Sequence, residues 1–118
     1  MNYLIDSDIV IWYLKDREKE VNLLKQLELK GNVLISVVTI TEVRAGLYKE
    51  VSIIIKLLQE YFLPIPVNSQ IAELAGEFRQ KYNLGIADML IAATAVITQS
   101  KLITYNKKHF PMKEIKLL

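Results

Sequence analysis

The hydrophobic positions of this 118-residue chain fall into short apolar runs that alternate with longer amphipathic segments. Apolar runs of about four residues are typical of buried strands, and the amphipathic segments repeat their apolar positions at helical spacing. Strands that alternate with helices predict a parallel sheet with helices on both faces. The predicted fold is therefore a three-layer α/β/α sandwich with a short-stranded, mainly parallel central sheet. We expect it to be one domain over residues 1–118.

The predicted elements begin and end at capping or turn-forming residues. We predict strands at residues 2–5, 33–35, 65–67, 101–104 and 115–118, with a helical turn at 106–110. We predict helices at residues 9–14, 16–30, 36–47, 48–62 and 84–98, with a further helix capped by Asn68 or Ser69. Ser7 and Asp8 are good N-cap residues for the first helix, and Gly31 favours an end to the second.

One carboxylate interrupts the most apolar segment, LGIADMLIAATAVIT, at residues 84–98. At helical spacing Asp88 shares its face with Ile91, Ala92 and Ala95. A helix that is apolar on nearly every side is buried, so we expect Asp88 to point into the protein. A buried, unpaired carboxylate is costly, which makes Asp88 a functional candidate. The alternative is a first-turn carboxylate that only favours the helix dipole.

Composition narrows the possible chemistry. The chain has no cysteine and one histidine, His109, which excludes disulfides, thiol nucleophiles and zinc–thiolate sites and fits a reducing compartment. The net charge of +2 gives no strong nucleic-acid footprint. No apolar run reaches membrane-spanning length and no signal peptide is present, so we expect a cytoplasmic protein without a membrane partner. Catalysis would have to rest on carboxylates.

Carboxylates and their polar neighbours are expected at one edge of the sheet. Asp6 and Thr104 each end a predicted strand, Glu42 lies on the helix that follows another strand, and Asp88 lies early in the buried helix. Ligand sites in parallel sheets lie at the carboxyl ends of the strands. Clustered carboxylates repel unless a cation neutralises them, and oxygen ligands select Mg²⁺ or Mn²⁺. Asn106 offers a neutral ligand, and phosphoryl transfer is the chemistry such ions favour.

The segments that carry these residues resemble the motifs of the PIN domain family, specifically the VapC-type ribonuclease toxins of type II toxin–antitoxin pairs. They are LIDSD with Asp6, TITEV with Glu42, IADMLIAATA with Asp88, and LITYNKKHF with Asn106 and His109. The resemblance implies a Mg²⁺- or Mn²⁺-dependent endoribonuclease that acts on RNA. It also implies a homodimer held inactive by an antitoxin protein that threads a segment across the site.

The resemblance assigns the site residues one by one. Asp6, Glu42 and Asp88 match the family's acidic residues, which implies that they are catalytic and bind the metal. Asn106 stands where many members have a fourth acid, which leaves open whether one ion or two would bind. His109 stands where many members have an aspartate.

Other candidates have both a functional and a structural interpretation. Ser7 and Thr104 would orient the acids by hydrogen bonds, or they only cap the helix and strand. Lys107, Lys108 and Arg44 would bind RNA phosphates, or they belong to a solvated surface. Taken alone, Glu42 is more typical of a solvated helix, and Asp8 of an N-cap than of a metal ligand.

Two apolar groups have an open assignment as well. Trp12 and Tyr13, with Leu47 and Tyr48, either pack in the core or line a groove for an antitoxin helix. A helical stripe serves either the core or a dimer interface; it contains Ile71, Leu74, Ala75 and Phe78.

Three other functions compete with the nuclease. The Asp6-Ser7-Asp8 sequence after a strand resembles haloacid-dehalogenase-like phosphatases, in which Asp6 would be the nucleophile, but a later acidic pair is missing. A phosphoacceptor receiver domain would need an aspartate after the third strand, where residues 64–68 have none. A catalytically attenuated PIN-like binding module is supported only by Asn106.

Overall fold

A computed structural model describes residues 1–118 as five strands, six α-helices and a 3₁₀ turn at Lys107–His109. The strands are β1 (Asn2–Ile5), β2 (Asn32–Ser36), β3 (Leu63–Ile65), β4 (Ser100–Ile103) and β5 (Lys116–Leu117). The helices are α1 (Ser7–Leu14), α2 (Glu18–Glu28), α3 (Val37–Ala45), α4 (Val51–Tyr61), α5 (Ser69–Tyr82) and α6 (Ile86–Ile97). All strand pairs are parallel, in the order β3-β2-β1-β4-β5.

The sheet separates two hydrophobic cores because successive side chains on a strand point to opposite faces. On the central strand β1, Leu4 packs toward α5 and α6, whereas Tyr3 and Ile5 pack toward the helices between α1 and α4. Leu34 and Leu102 pair with Leu4 across the sheet and share its face. The predicted three-layer α/β/α fold with a parallel sheet is confirmed.

The helix of the lower layer that the sequence singled out, α6, is buried as predicted. Ile91, Ala92 and Ala93 have no exposed surface, because α6 lies between the sheet and α5. The stripe on α5 also belongs to this core: Ile71, Ala75 and Phe78 are buried. No helix is long and apolar enough to cross a bilayer.

Several predicted boundaries were wrong for local reasons. The third strand is β3 at Leu63–Ile65 rather than residues 65–67, and it accommodates Pro64 because it is an edge strand with one partner. The N-cap of α1 is Asp6, not Ser7 or Asp8, so the helix begins directly where β1 ends. The helix α4 begins only at Val51, because Glu50 has a left-handed backbone conformation with φ of 53°.

Candidate active site

The centre of the acidic edge is Asp6, which follows the central strand β1 and caps α1. Its Oδ1 accepts a hydrogen bond from the Ser7 backbone N–H at 2.8 Å, and its Oδ2 accepts one from the Thr104 hydroxyl at 2.7 Å. Its own backbone N–H donates to the Ile103 carbonyl at 2.9 Å. Asp6 is only 5% exposed. Both its backbone and its carboxylate are therefore fixed by the adjacent strand β4.

The environment of Asp6 disfavours its charged form. Burial raises the pKa of the Asp6 carboxyl to about 6, the hydrogen bond from Thr104 opposes this, and the charges of Asp8 and Asp88 add to the rise. Neighbouring carboxylates can raise a pKa in this way only when they are close. The structure therefore places Asp6, Asp8 and Asp88 within electrostatic reach of one another, where a cation would favour the ionised forms.

Asp8 joins α1 to the segment that follows β4. Its Oδ1 accepts from the Ile9 N–H at 2.8 Å and its Oδ2 from the Tyr105 N–H at 3.0 Å. Burial is the main cause that raises the pKa of the Asp8 carboxyl, and the two backbone hydrogen bonds oppose it. The prediction that Asp8 is an N-cap was wrong, because Asp6 holds that position and Asp8 lies in the first turn. Its carboxylate instead fixes the position of the neighbouring loop.

Glu42 lies on α3 at the rim of the acidic edge and is exposed. Its Oε1 accepts a hydrogen bond from the Ser7 hydroxyl at 2.5 Å, and the same hydroxyl lies 3.2 Å from the Thr39 hydroxyl. Ser7 thus links α1 to α3 through two polar side chains. Thr39 was not among the residues singled out from the sequence, although it lies one helical turn before Val43 on the buried face of α3.

Asp88 lies in the first turn of α6, and its side chain is 28% exposed. The helix is buried, but its first turn reaches the sheet edge, so the carboxylate does not point into the core as expected. Its Oδ2 lies 2.9 Å from Nδ1 of His109 on the 3₁₀ turn. The sequence gave no sign of this contact, because it joins residues that are distant along the chain.

Thr104 and Asn106 continue the edge beyond β4. The Thr104 hydroxyl, which donates to Asp6, also accepts a hydrogen bond from the Asn106 N–H at 3.0 Å. Asn106 is exposed, and Lys107 and Lys108 follow it on the exposed 3₁₀ turn. Arg44 lies elsewhere: its Nη1 donates to the Leu47 carbonyl at 3.3 Å, and its side chain lines a cleft against α4.

A second network anchors this loop from the other side, and sequence reasoning missed it. The Tyr105 hydroxyl donates a hydrogen bond to Oε2 of Glu20, a carboxylate with no exposed surface. Arg17 Nε lies 3.1 Å from Glu20 Oε1 without forming a hydrogen bond, and the Arg17 guanidinium lies over the Trp12 ring. Burial and the contact with Glu20 raise the pKa of the Tyr105 hydroxyl to about 12. A signal existed, since Glu20 is in helical register with the buried Leu24.

The residues of the edge fit a divalent cation in chemistry and charge. Most of the possible ligands are carboxylate oxygens, which suit Mg²⁺ or Mn²⁺. As they stand, no three carboxylate or imidazole groups converge on one point. Glu42 is hydrogen-bonded to Ser7, and Asp88 contacts His109. Binding an ion would therefore need rotations of these rim side chains, while Asp6 is already fixed.

Comparison with known proteins agrees with this geometry. The PIN domain family matches residues 3–115. Ribonuclease VapC10 of Mycobacterium tuberculosis is 33% identical over 116 residues, which cover 94% of this chain and 87% of that protein.

Solved structures give the same result for the fold. A toxin–antitoxin complex from Klebsiella pneumoniae matches with a TM-score of 0.80 and 29% identity, over 96% of this chain and 94% of that one. VapBC2 of Rickettsia felis, bound to a DNA fragment from its promoter, matches with a TM-score of 0.88 and 22% identity, over 100% and 98% of the two chains. At this identity, the second match concerns the fold alone.

Proposed function

Because this chain belongs to the PIN domain family, as its motifs led us to expect, we propose that it is a Mg²⁺- or Mn²⁺-dependent endoribonuclease and the toxin of a toxin–antitoxin pair. The relative from M. tuberculosis is named a ribonuclease and covers almost the whole chain. The observation that carries the proposal is the buried Asp6 at the carboxyl edge of the sheet, whose pKa is raised to about 6 close to two further carboxylates. This arrangement is typical of a functional site.

In this proposal Asp6 and Asp88 hold the ion, and Glu42 binds it directly or orients a water beside it. When bound, the ion would neutralise phosphate charge and lower the pKa of water. Ser7 and Thr104 keep the carboxylates in place through the hydrogen bonds to Glu42 and Asp6. Preorganised side chains of this kind lower the cost of arranging the site during the reaction.

Lys107 and Lys108 are positioned to bind the RNA backbone. Both are exposed on the 3₁₀ turn next to Asn106, so they lie on the open side of the acidic edge. Cationic side chains there would bind phosphates without reading base identity. We therefore assign them to substrate binding, whereas the contact of Arg44 with Leu47 directs its side chain toward α4.

An antitoxin would fit the apolar groove beside Glu42. A cavity of about 430 Å³ lies between α1, α3 and α4, and its apolar lining includes Ile11, Leu14, Leu47 and Ile54. Glu42 lines the same cavity, so a bound segment would reach the acidic edge directly. Of the aromatic residues considered from the sequence, Tyr13 instead stacks on Tyr61. We also propose a homodimer, which sedimentation equilibrium of the purified chain would test.

The phosphatase alternative is disfavoured by the state of Asp6. A nucleophilic carboxylate needs an oxygen free to attack phosphate, but both Asp6 oxygens accept hydrogen bonds and the residue is buried. The chain also lacks an aspartate after β3, which a receiver domain would need. The binding-module alternative is decided by activity.

The decisive experiment is cleavage of end-labelled structured RNAs, tRNAs included, with Mn²⁺ and with EDTA. We expect cleavage with Mn²⁺ that EDTA abolishes and that the Asp6→Asn variant lacks. Asp16→Asn makes the same change at an exposed aspartate in the turn between α1 and α2, and it should cleave like the unmodified chain. Cleavage that persists in Asp6→Asn would indicate a contaminating nuclease. A chain that neither cleaves RNA nor binds Mn²⁺ by calorimetry would favour the binding module.

A further inference from the structure

We propose that His109 is a direct nitrogen ligand of the divalent ion held by Asp88, and that this ligand makes the site prefer Mn²⁺ to Mg²⁺. The inference rests on the proposed metal-dependent nuclease. It adds to that function a ligand of a different chemical type from the carboxylates, and with it a basis for choosing between two ions.

The distance between the two side chains is the first support. His109 Nδ1 lies 2.9 Å from Asp88 Oδ2. Two neighbouring ligands of an octahedral ion, each about 2.1 Å from the metal, lie about 3 Å apart. The imidazole nitrogen and the carboxylate oxygen are therefore already at the spacing of adjacent ligands, although they come from opposite ends of the acidic edge.

The turn that carries His109 is held in place from both sides. Its backbone N–H donates to the Asn106 carbonyl at 2.9 Å, and the next residue, Phe110, is buried in the core between the sheet and α6. The His109 side chain itself is 48% exposed. The ring is thus tethered at its base and open at its edge, so an ion and water can reach it without unfolding of the turn.

The charge of the edge also favours an additional neutral ligand. Asp6, Asp8 and Asp88 already repel one another, as the raised pKa of Asp6 near 6 indicates. Asn106, next along the loop, adds no charge. A neutral imidazole completes a ligand set without further repulsion, and nitrogen ligands suit Mn²⁺ better than the harder Mg²⁺.

The same 2.9 Å contact would also arise from a plain hydrogen-bonded ion pair between His109 and Asp88. The two interpretations differ once Mn²⁺ is bound. A ligand shares electron-spin density with the ion, so its ¹⁴N nucleus appears in the electron spin echo modulation of Mn²⁺, whereas an ion-pair partner that the ion displaces does not. Because the chain has one histidine, an imidazole signal can come only from His109.

The experiment is electron spin echo spectroscopy of the one-to-one Mn²⁺ complex, prepared without a histidine tag. We expect imidazole ¹⁴N modulation in the unmodified chain, none in His109→Ala, and full modulation in Lys108→Ala, which alters the same exposed turn. Calorimetry should show that His109→Ala weakens Mn²⁺ binding about tenfold or more and Mg²⁺ binding by less. Thermal unfolding would verify that both variants are folded.

Mn²⁺ bound without ¹⁴N modulation would overturn the inference, as would a His109→Ala variant that binds Mn²⁺ equally or more tightly. Either result would make His109 an ion-pair partner only and would leave the nuclease proposal intact. Absence of Mn²⁺ binding in the unmodified chain would overturn the inference and the metal-dependent function together. The RNA cleavage assay separates these cases.

Discussion

The floor and the rim of the acidic edge differ in how firmly they are held. The floor is Asp6 with Thr104, both 5% exposed and joined by a 2.7 Å hydrogen bond. The rim is Glu42, Asp88 and His109, whose side chains are more exposed and contact partners that an ion could replace. The floor is built from strand ends, whereas the rim is carried by helix turns and a 3₁₀ turn.

This difference separates two tasks. A carboxylate fixed by the backbone of two adjacent strands can hold an ion or substrate at one position without reorganisation. Partly exposed carboxylates can rotate to complete a ligand set when the ion arrives. If this is correct, changes in the floor should affect activity and charge balance most, and changes in the rim should act mainly on metal affinity.

The largest effect is expected from a direct comparison of floor and rim. Asp6→Asn should lower RNA cleavage by about a thousandfold or more, the scale of removing a group that stabilises the transition state. Glu42→Gln retains a ligand oxygen and a hydrogen-bond acceptor for Ser7, so it should cost about ten- to a hundredfold. Single-turnover cleavage rates with saturating Mn²⁺ measure both. Equal losses would remove the distinction between floor and rim.

The second effect concerns stability without metal. Burial raises the pKa of Asp6 from 3.8 to about 6, so its folded form prefers to be protonated. The stability this gives is fully present below pH 3.8 and is lost as the pH rises through about 6. A shift of this size corresponds to about 3 kcal/mol at most. Asp6→Asn has no such group, so in EDTA its stability relative to the unmodified chain should increase by about 2 to 3 kcal/mol between pH 4 and pH 8.

Urea unfolding at several pH values would measure this difference. Asp88→Asn is the matched control at the rim, because its side chain is 28% exposed and Asp88 is not an N-cap. An Asp6→Asn variant whose relative stability does not change with pH would show that Asp6 is not buried in the way described.

The floor was predictable from the sequence, because local patterns determine it. An apolar run that ends in Asp6 marks the end of a central strand, and an apolar segment around Ile91 marks a buried helix. The parallel sheet then follows from the alternation of strands with helices. The strand at β3 was misplaced by two residues, since Pro64 lies inside it and such a residue argues against a strand unless its edge position is known.

The rim was not predictable in the same way, because its contacts join distant parts of the chain. The sequence gives no pairing between His109 and Asp88 or between Tyr105 and Glu20, and both depend on how the loop after β4 packs. The exposure of Asp88 likewise depends on where α6 begins relative to the sheet edge. These are properties of tertiary packing and not of residue spacing.

The third prediction tests whether the loop between floor and rim is anchored by Glu20. Tyr105→Phe removes the hydroxyl that donates to this fully buried carboxylate and should lower the free energy of unfolding by about 1 to 3 kcal/mol. Tyr48→Phe is the control, since Tyr48 is 89% exposed and should change stability by less than about 0.5 kcal/mol. Chemical unfolding of both variants decides the point. If Tyr105→Phe is as stable as the control, the anchor contributes nothing.

The smallest effect is expected from Asn106→Asp, which adds a fourth acid beside the floor. The new carboxylate would lie on the exposed loop next to Thr104, where solvent weakens its interaction with the ion. We therefore expect Mn²⁺ to bind only about three- to tenfold more tightly, as measured by calorimetry. Asn68→Asp is the control, because Asn68 caps α5 and aspartate caps equally well. Unchanged or weaker Mn²⁺ binding in Asn106→Asp would place the ion farther from this loop, on the side of Glu42.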